Sequence, residues 1–174
     1  MKKGLDGGEV FKEISKRHKK IYKDATIFSL FGHFMLKEQL VEQNLKQLLA
    51  NNYDYEFDKL QRHTLSGLIR ELESKDVRED FIFKLRNLNE YRNYVTHELL
   101  IDEAMNMAMG LHLKRGVWRT FEHALFSVEQ VLVVYDWILE NGTFDSKGQR
   151  KMKSSPPIPK LIKNHKKKKV AKRL

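Results

Sequence analysis

Residues 81–100 read FIFKLRNLNEYRNYVTHELL, and their apolar spacing is that of one amphipathic helix. At about 100° per residue, the large apolar side chains on one side of this helix lie within about 60° of Arg92. They are Phe81, Leu85, Leu88, Val95 and Leu99. Arg92 is therefore centred on the side that is expected to face a protein core. Because a guanidinium keeps its charge, it needs there a carboxylate, a set of carbonyl groups, or a cleft that admits water and an anion.

A band of polar residues begins at Arg92 and runs around the same helix, through Asn89, Thr96, Asn93 and His97. One interpretation is structural: Arg92 pairs with a glutamate from another helix, and His97 is an ordinary helix-end histidine that favours the local dipole when protonated. The other is chemical, because a fixed cation near a histidine suits the binding and protonation of an anion.

The rest of the first 145 residues also has helical spacing and little turn chemistry. We expect a first helix over about 9–22 and a second that begins at Asp24 as N-cap and ends at about residue 50. A broken helical stretch near 58–72, with Thr64 as a cap, should follow. Two further helices are expected over about 101–115 and about 117–140. Asp76 is expected to begin the helix that contains residues 81–100, through a capping box. The predicted fold is an all-α bundle of about five helices.

The positive charge of the chain is concentrated at its C-terminal end. From Lys147 onward there are 12 Lys or Arg and no acid, which leaves 21 basic residues against all 23 acidic ones before it. The three prolines, Pro156, Pro157 and Pro159, lie in the same segment. This shift in composition predicts a helical domain over 1–145 and a disordered Pro/Lys-rich tail over 146–174.

A run of basic residues without acids has two interpretations, an arm that holds RNA by counterion release and a solvated end without a specific partner. We favour the RNA-binding arm, without sequence specificity. Its predicted RNA-binding residues are Lys160, Lys163, Lys166, Lys167, Lys168, Lys169, Lys172 and Arg173.

Several classes of site lack the residues that they need. The chain has no cysteine, so it has no disulfide and no thiolate ligand or nucleophile. Glu122-His123 is an isolated pair without the second histidine of a helical zinc site, and Gly4, Gly7 and Gly8 precede no strand-to-helix switch. We expect no metal and no cofactor. The charged N-terminus and the shortness of the apolar runs predict a cytoplasmic protein without a signal peptide or transmembrane segment.

The motif Arg92-Asn93-x-x-x-His97 lies late in a long helix of a small all-α protein. It resembles the signature of the HEPN superfamily, the higher eukaryotes and prokaryotes nucleotide-binding domains. The resemblance spans about residues 9–141, although the recognisable residues lie between Leu85 and Leu100. It implies a metal-independent endoribonuclease whose active site is shared by two chains of a homodimer. It also implies a toxin or antiphage role, with an antitoxin or defence-complex partner.

The resemblance assigns a catalytic role to each of the three motif residues. His97 would transfer a proton at the RNA 2′-oxygen or at the leaving 5′-oxygen. Arg92 would clamp the phosphate, and Asn93 would orient the histidine or bond the RNA. The products would carry a cyclic phosphate.

Two other functions remain open. One is a non-catalytic HEPN-like protein that binds RNA or acts as a scaffold in a defence complex. The other, more distant, is a helical regulator that binds DNA through the tail, although no recognition helix is evident. Only the enzyme needs Arg92 and His97 to converge in a cleft open to solvent. An Arg92 sealed inside one chain against a carboxylate would contradict the catalytic interpretation.

Overall fold

The computed structural model describes residues 7–110 and 115–141, apart from the side chains of Lys19, Leu100, Glu103, Met107 and Arg115. Within these ranges the elements are α-helical except for one π-helical turn, which confirms the predicted all-α bundle. There are six helices of nine residues or more and one single-turn helix, where about five were predicted. In chain order they are α1 (Gly7–Ile21), α2 (Ile27–Tyr53), α3 (Phe57–Leu60), α4 (Leu65–Ser74), α5 (Glu79–Tyr94), the π-helical turn (Val95–Leu99), α6 (Leu100–Ala108) and α7 (Arg115–Asn141).

Helix α7 lies between α2 and α5 and packs on both of them. It runs parallel to α2, since Phe121 meets Phe31 near the start of both helices and Tyr135 donates to the carbonyl of Asn44 farther along. It runs antiparallel to α5, because the start of α5 meets the end of α7, where the rings of Phe81 and Tyr135 lie 6.4 Å apart. The C-terminal end of α5 therefore comes to the same end of the bundle as the first halves of α2 and α7.

Threonines open two of the helices. Thr26 Oγ1 accepts the N–H of Ser29 at the start of α2, and Thr64 Oγ1 accepts the N–H of Gly67 at the start of α4. The second cap was predicted, whereas the first was assigned to Asp24, and that prediction was wrong by two residues. A Thr at either position satisfies one of the backbone N–H groups that a helix leaves free at its start.

The predicted capping box at Asp76 is also wrong. Asp76 has a φ of 54°, in the left-handed region, and α5 begins at Glu79 with Arg78 as N-cap and no side-chain cap. An aspartate tolerates this backbone conformation better than most side chains. The side chain of Arg78 instead forms a two-point ion pair with Asp80 and lies over the ring of Trp137 in α7.

His18 of α1 is packed against α7, and this position makes it sensitive to pH. Its ring contacts those of Tyr22 and Phe126, with centroids 5.0 and 5.7 Å away. Burial lowers the pKa of His18 against the opposing effect of Glu129, and Lys37 lowers it further. The folded chain therefore favours the neutral imidazole.

His18 is expected to lower the free energy of unfolding as the pH falls below about 6.5, because the unfolded chain then binds a proton that the folded chain resists at this residue. Glu38 of α2, whose pKa is raised to about 7, contributes with the opposite sign, so the contribution of His18 is the difference between the parent and a His18 variant. Urea denaturation at a series of pH values between neutral and acidic would measure this. His18→Gln removes this contribution, so its free energy of unfolding should rise relative to that of the parent as the pH falls below about 6.5. Equal slopes in the parent and His18→Gln would contradict the assignment.

In the part of the chain that the structure describes, no helix combines the length and the apolar character that crossing a membrane requires. The tail residues predicted to bind RNA, from Lys160 to Arg173, lie outside the described residues.

Candidate functional site

The apolar side of α5 is buried as the spacing predicts. All five apolar residues expected to surround Arg92 are buried, with at most 4 % of their surface exposed; they are Phe81, Leu85, Leu88, Val95 and Leu99. Arg92 lies among them in the last turn of α5. A cation has thus been placed where leucine would cost less free energy, and its charge must be compensated nearby.

The sequence predicted a regular helix to about Leu100, but α5 ends at Tyr94, two residues after Arg92, and widens there into the π-helical turn. The carbonyl of Arg92 accepts the N–H of Val95, the first residue of the π-helical turn. Here the Thr96 hydroxyl donates to that carbonyl at 2.7 Å. Such side-chain bonding to the fourth residue back often bends a helix, and single π-helical turns occur often at functional sites.

Arg92 meets a carboxylate from a different helix, as the structural interpretation anticipated. Its Nε lies 3.4 Å from Oε1 of Glu38, in the middle of α2. Glu38 is 2 % exposed, but 27 % of the Arg92 side chain is open to solvent. The arginine is therefore paired inside one chain without being sealed there, and an anion from solution can still reach it.

Glu38 is the first of three charged residues that follow one another at four-residue intervals along α2. Glu42 accepts the N–H of Leu65, at the start of α4, at 2.9 Å. Lys46 donates to the carbonyl of Gln61 at 3.3 Å. Glu42 and Lys46 thus link α2 to the start of α4 and to the segment before it, while Glu38 contacts α5.

Burial raises the pKa of Glu38 to about 7, with a further contribution from the neighbouring Glu42, against the opposing effects of Arg92 and Lys46. A carboxyl with this pKa changes its charge in the neutral range, which an exposed glutamate does not do. Carboxyl groups with strongly raised pKa values occur preferentially at functional sites. Through its contact with Arg92, Glu38 is a candidate site residue that the sequence did not single out.

A signal for Glu38 was present in the sequence. It stands four residues after Phe34, three before Val41 and seven before Leu45, all of them buried, so it is centred on the apolar side of α2 as Arg92 is on that of α5. Two helices that each carry one charge of opposite sign within an apolar side are candidates for pairing. What the spacing could not supply is which glutamate would lie opposite the arginine.

Of the other polar residues in the band that begins at Arg92, two form hydrogen bonds and two are exposed. Asn89 accepts a hydrogen bond from Ser66 of α4 at 3.0 Å, and Thr96 is bonded to the backbone. Asn93 and His97 are exposed, and neither side chain is hydrogen-bonded to any residue between 7 and 110 or between 115 and 141. An amide and an imidazole are thus presented to solvent within five residues of a partly exposed arginine.

The other histidines do not form a second site among the described residues. The ring of His33 packs on that of Tyr22, and His63 lies beside the carbonyl of Lys59. No three His, Asp or Glu side chains within the described ranges come together as metal ligands do.

Neither a protein-family model, nor a curated protein, nor a solved structure matches this chain. The class that the fold defines is an all-α helical bundle, with Arg92, Asn93 and His97 at the junction of α5 and the π-helical turn.

Proposed function

We propose that this protein is a metal-independent endoribonuclease of HEPN type, with a composite active site at a homodimer interface and a role as a toxin or in antiphage defence. The observation that carries the proposal is the exposure of the three motif residues: Arg92, with a partly exposed guanidinium side chain, is followed along the chain by an exposed amide, Asn93, and an exposed imidazole, His97. A cation and a proton-transferring imidazole are the groups that cleavage by the RNA's own 2′-hydroxyl uses. The biological role rests on the family resemblance.

In the proposed reaction, a histidine acting as base removes the proton from a 2′-hydroxyl, and the 2′-oxygen bonds to the adjacent phosphorus. The bond from phosphorus to the 5′-oxygen breaks, and that oxygen takes a proton from a histidine acting as acid. The products are a 2′,3′-cyclic phosphate and a 5′-hydroxyl. Each chain supplies one His97, so two chains provide both the base and the acid.

Arg92 has the electrostatic role in this reaction. The phosphate gains negative charge as the 2′-oxygen attacks, and a guanidinium stabilises that charge through parallel hydrogen bonds. Because its side chain is partly exposed, Arg92 can contact RNA, and its contact with Glu38 holds it in position. Asn93 neighbours Arg92 and can hydrogen-bond a phosphate oxygen or the RNA sugar.

Helix α6 supports the homodimer. It follows the π-helical turn directly, and none of its described side chains is buried. Two large apolar side chains of α6, Ile101 and Met105, and that of Met109, directly after its end, follow one another at four-residue intervals. Each of the three is more than half exposed. A second chain that covers them would bring its own α5 and π-helical turn close to those of the first.

The dimer gives a prediction. Met105→Asp is expected to raise the dissociation constant of the homodimer at least tenfold, a loss of roughly 1.4 kcal/mol or more, because a charge would be buried against apolar groups. Sedimentation velocity over a concentration series would measure it. Leu139→Asp, at an exposed apolar position at the other end of the bundle, is the matched control and should not change the constant. A parent protein that stays monomeric at high concentration would overturn the dimer.

The proposal is tested with purified protein, labelled single-stranded and structured RNA, and EDTA in excess. Cleavage is expected, with cyclic phosphate ends, and an RNA with 2′-deoxy sugars should remain intact because it lacks the nucleophile. Cleavage that leaves a 3′-hydroxyl would contradict the mechanism.

The second candidate is a non-catalytic HEPN-like protein that binds RNA or serves as a scaffold in a defence complex. The contact between Arg92 and Glu38 favours it, because that ion pair gives the arginine a structural use without RNA. In this case RNA would be bound and never cleaved, and Arg92→Ala would lower the stability of the fold without changing any activity.

A further inference from the structure

The contact between Arg92 and Glu38 is a loose one. Arginine and a carboxylate usually form short, parallel hydrogen bonds, and Arg78 and Asp80 of this chain do so at 2.8 and 2.7 Å. Nε of Arg92 and Oε1 of Glu38 lie 3.4 Å apart, and both atoms are buried without a hydrogen bond. The guanidinium is thus held near its counter-charge while its hydrogen-bonding capacity is not used up.

The surroundings of Glu38 determine when it carries that charge. The charged groups that face it are Glu42 and Lys46 on its own helix and Arg92 from α5. Lys37, also on α2, is engaged by Glu129 of α7. Burial and the negative charge of Glu42 favour the protonated carboxyl, and the two cations favour the ionised one. The balance falls near neutral pH, at a pKa of about 7.

We propose that Glu38 is a positioning residue that controls Arg92 through a proton: ionised, it holds the guanidinium as an internal counter-ion, and protonated, it releases the guanidinium to a phosphodiester. A carboxylate and a phosphodiester compete for the same cation, and the exposed part of the Arg92 side chain gives the phosphodiester access. The phosphodiester as ligand rests on the proposed function, but the link between Glu38 and Arg92 does not.

The direction of the pH effect follows from linkage. If the phosphodiester binds better when Glu38 is protonated, binding takes up a proton, and affinity rises as the pH falls through about 7. Between pH 8 and pH 6 the protonated fraction changes from roughly a tenth to roughly nine-tenths, so the largest gain in affinity is about ninefold. The test is made in a His97→Ala protein, so that the imidazole makes no contribution to the binding of the anion.

The first measurement follows Arg92 itself and needs no RNA. In a His97→Ala protein, the Nε–H resonance of Arg92 in a ¹⁵N spectrum, assigned by its loss in Arg92→Lys, is recorded from pH 5.5 to 8.5. A shift with a midpoint near pH 7 is expected. A resonance that does not titrate in this range overturns the proposal, whether or not the protein cleaves RNA and whether or not a Glu38 variant folds.

The second measurement is binding of a fluorescent 2′-O-methyl RNA oligonucleotide to the same His97→Ala protein at constant ionic strength. Affinity should rise several-fold from pH 8 to pH 6. Adding Glu38→Gln should give the high affinity already at pH 8 and remove most of the pH dependence. Glu73→Gln removes an equal charge from α4, where Glu73 pairs with Arg86, and should leave the pH dependence as it was.

The outcomes separate the two proposals. If the Arg92 resonance titrates but Glu38→Gln does not change the pH dependence of binding, control of the ligand by Glu38 is wrong. If both measurements agree with expectation and the parent protein never cleaves RNA, the ribonuclease is wrong and Glu38 still governs an anion site.

Discussion

Replacing His97 by alanine is expected to lower the rate of RNA cleavage by roughly 10²- to 10⁴-fold, the usual contribution of a positioned acid or base. The side chain is exposed and makes no hydrogen bond within the described part of the chain, so its removal should leave the fold unchanged. Initial cleavage rates in EDTA would be compared at saturating RNA. His63→Ala is the matched control, because it removes a histidine that lies between α3 and α4 and is not part of the motif.

Arg92→Ala should lower the same rate by roughly 10²- to 10³-fold, since it removes the group that stabilises the transition-state charge. Arg92→Lys keeps the charge but not the planar pair of donors, and it should recover only part of the activity. If His97→Ala and Arg92→Ala proteins, shown to be folded by circular dichroism, cleave RNA at the rate of the parent, the three-residue site is not the active site.

The other large effect concerns the core. Phe34 lies on the buried side of α2 and is completely inaccessible to solvent. Phe34→Ala is expected to lower the free energy of unfolding by about 3–5 kcal/mol, because apolar contacts are lost and a cavity remains between α2 and its neighbours. Urea denaturation followed by circular dichroism would measure the change.

Phe28 of the same helix provides the control. Its side chain is 69 % exposed, so Phe28→Ala should change the free energy of unfolding by no more than about 0.5 kcal/mol. Similar losses for the two variants would mean that α2 does not face the core with the side that carries Phe34.

The sequence was a sufficient guide to the fold class and to the apolar side of α5. Both follow from helical periodicity, which is a local property, and the residues predicted to surround Arg92 are all buried. The sequence also allowed the prediction that Arg92 forms an ion pair with another helix, because a charge inside an apolar surface requires compensation. The HEPN assignment and the roles of Asn93 and His97 remain predictions.

Two features of the site could not be obtained in this way. The π-helical turn is a local change in the pattern of backbone hydrogen bonds, and the spacing of apolar side chains does not report that pattern. The choice of Glu38 as the partner of Arg92 depends on how α2 and α5 are arranged across the bundle. That arrangement is set by long-range packing on α7 and by the contacts of Glu42 and Lys46.

The π-helical turn also fixes the rotational phase between the site and α6. A single π-helical turn holds one residue more than an α-helical turn, so everything that follows is offset by about 100° about the helix axis. Deleting one residue between Val95 and Leu99 would restore a regular helix and rotate Ile101 and Met105 relative to Arg92. In this chain the direction of the exposed apolar surface of α6 is therefore set by the same turn that carries His97.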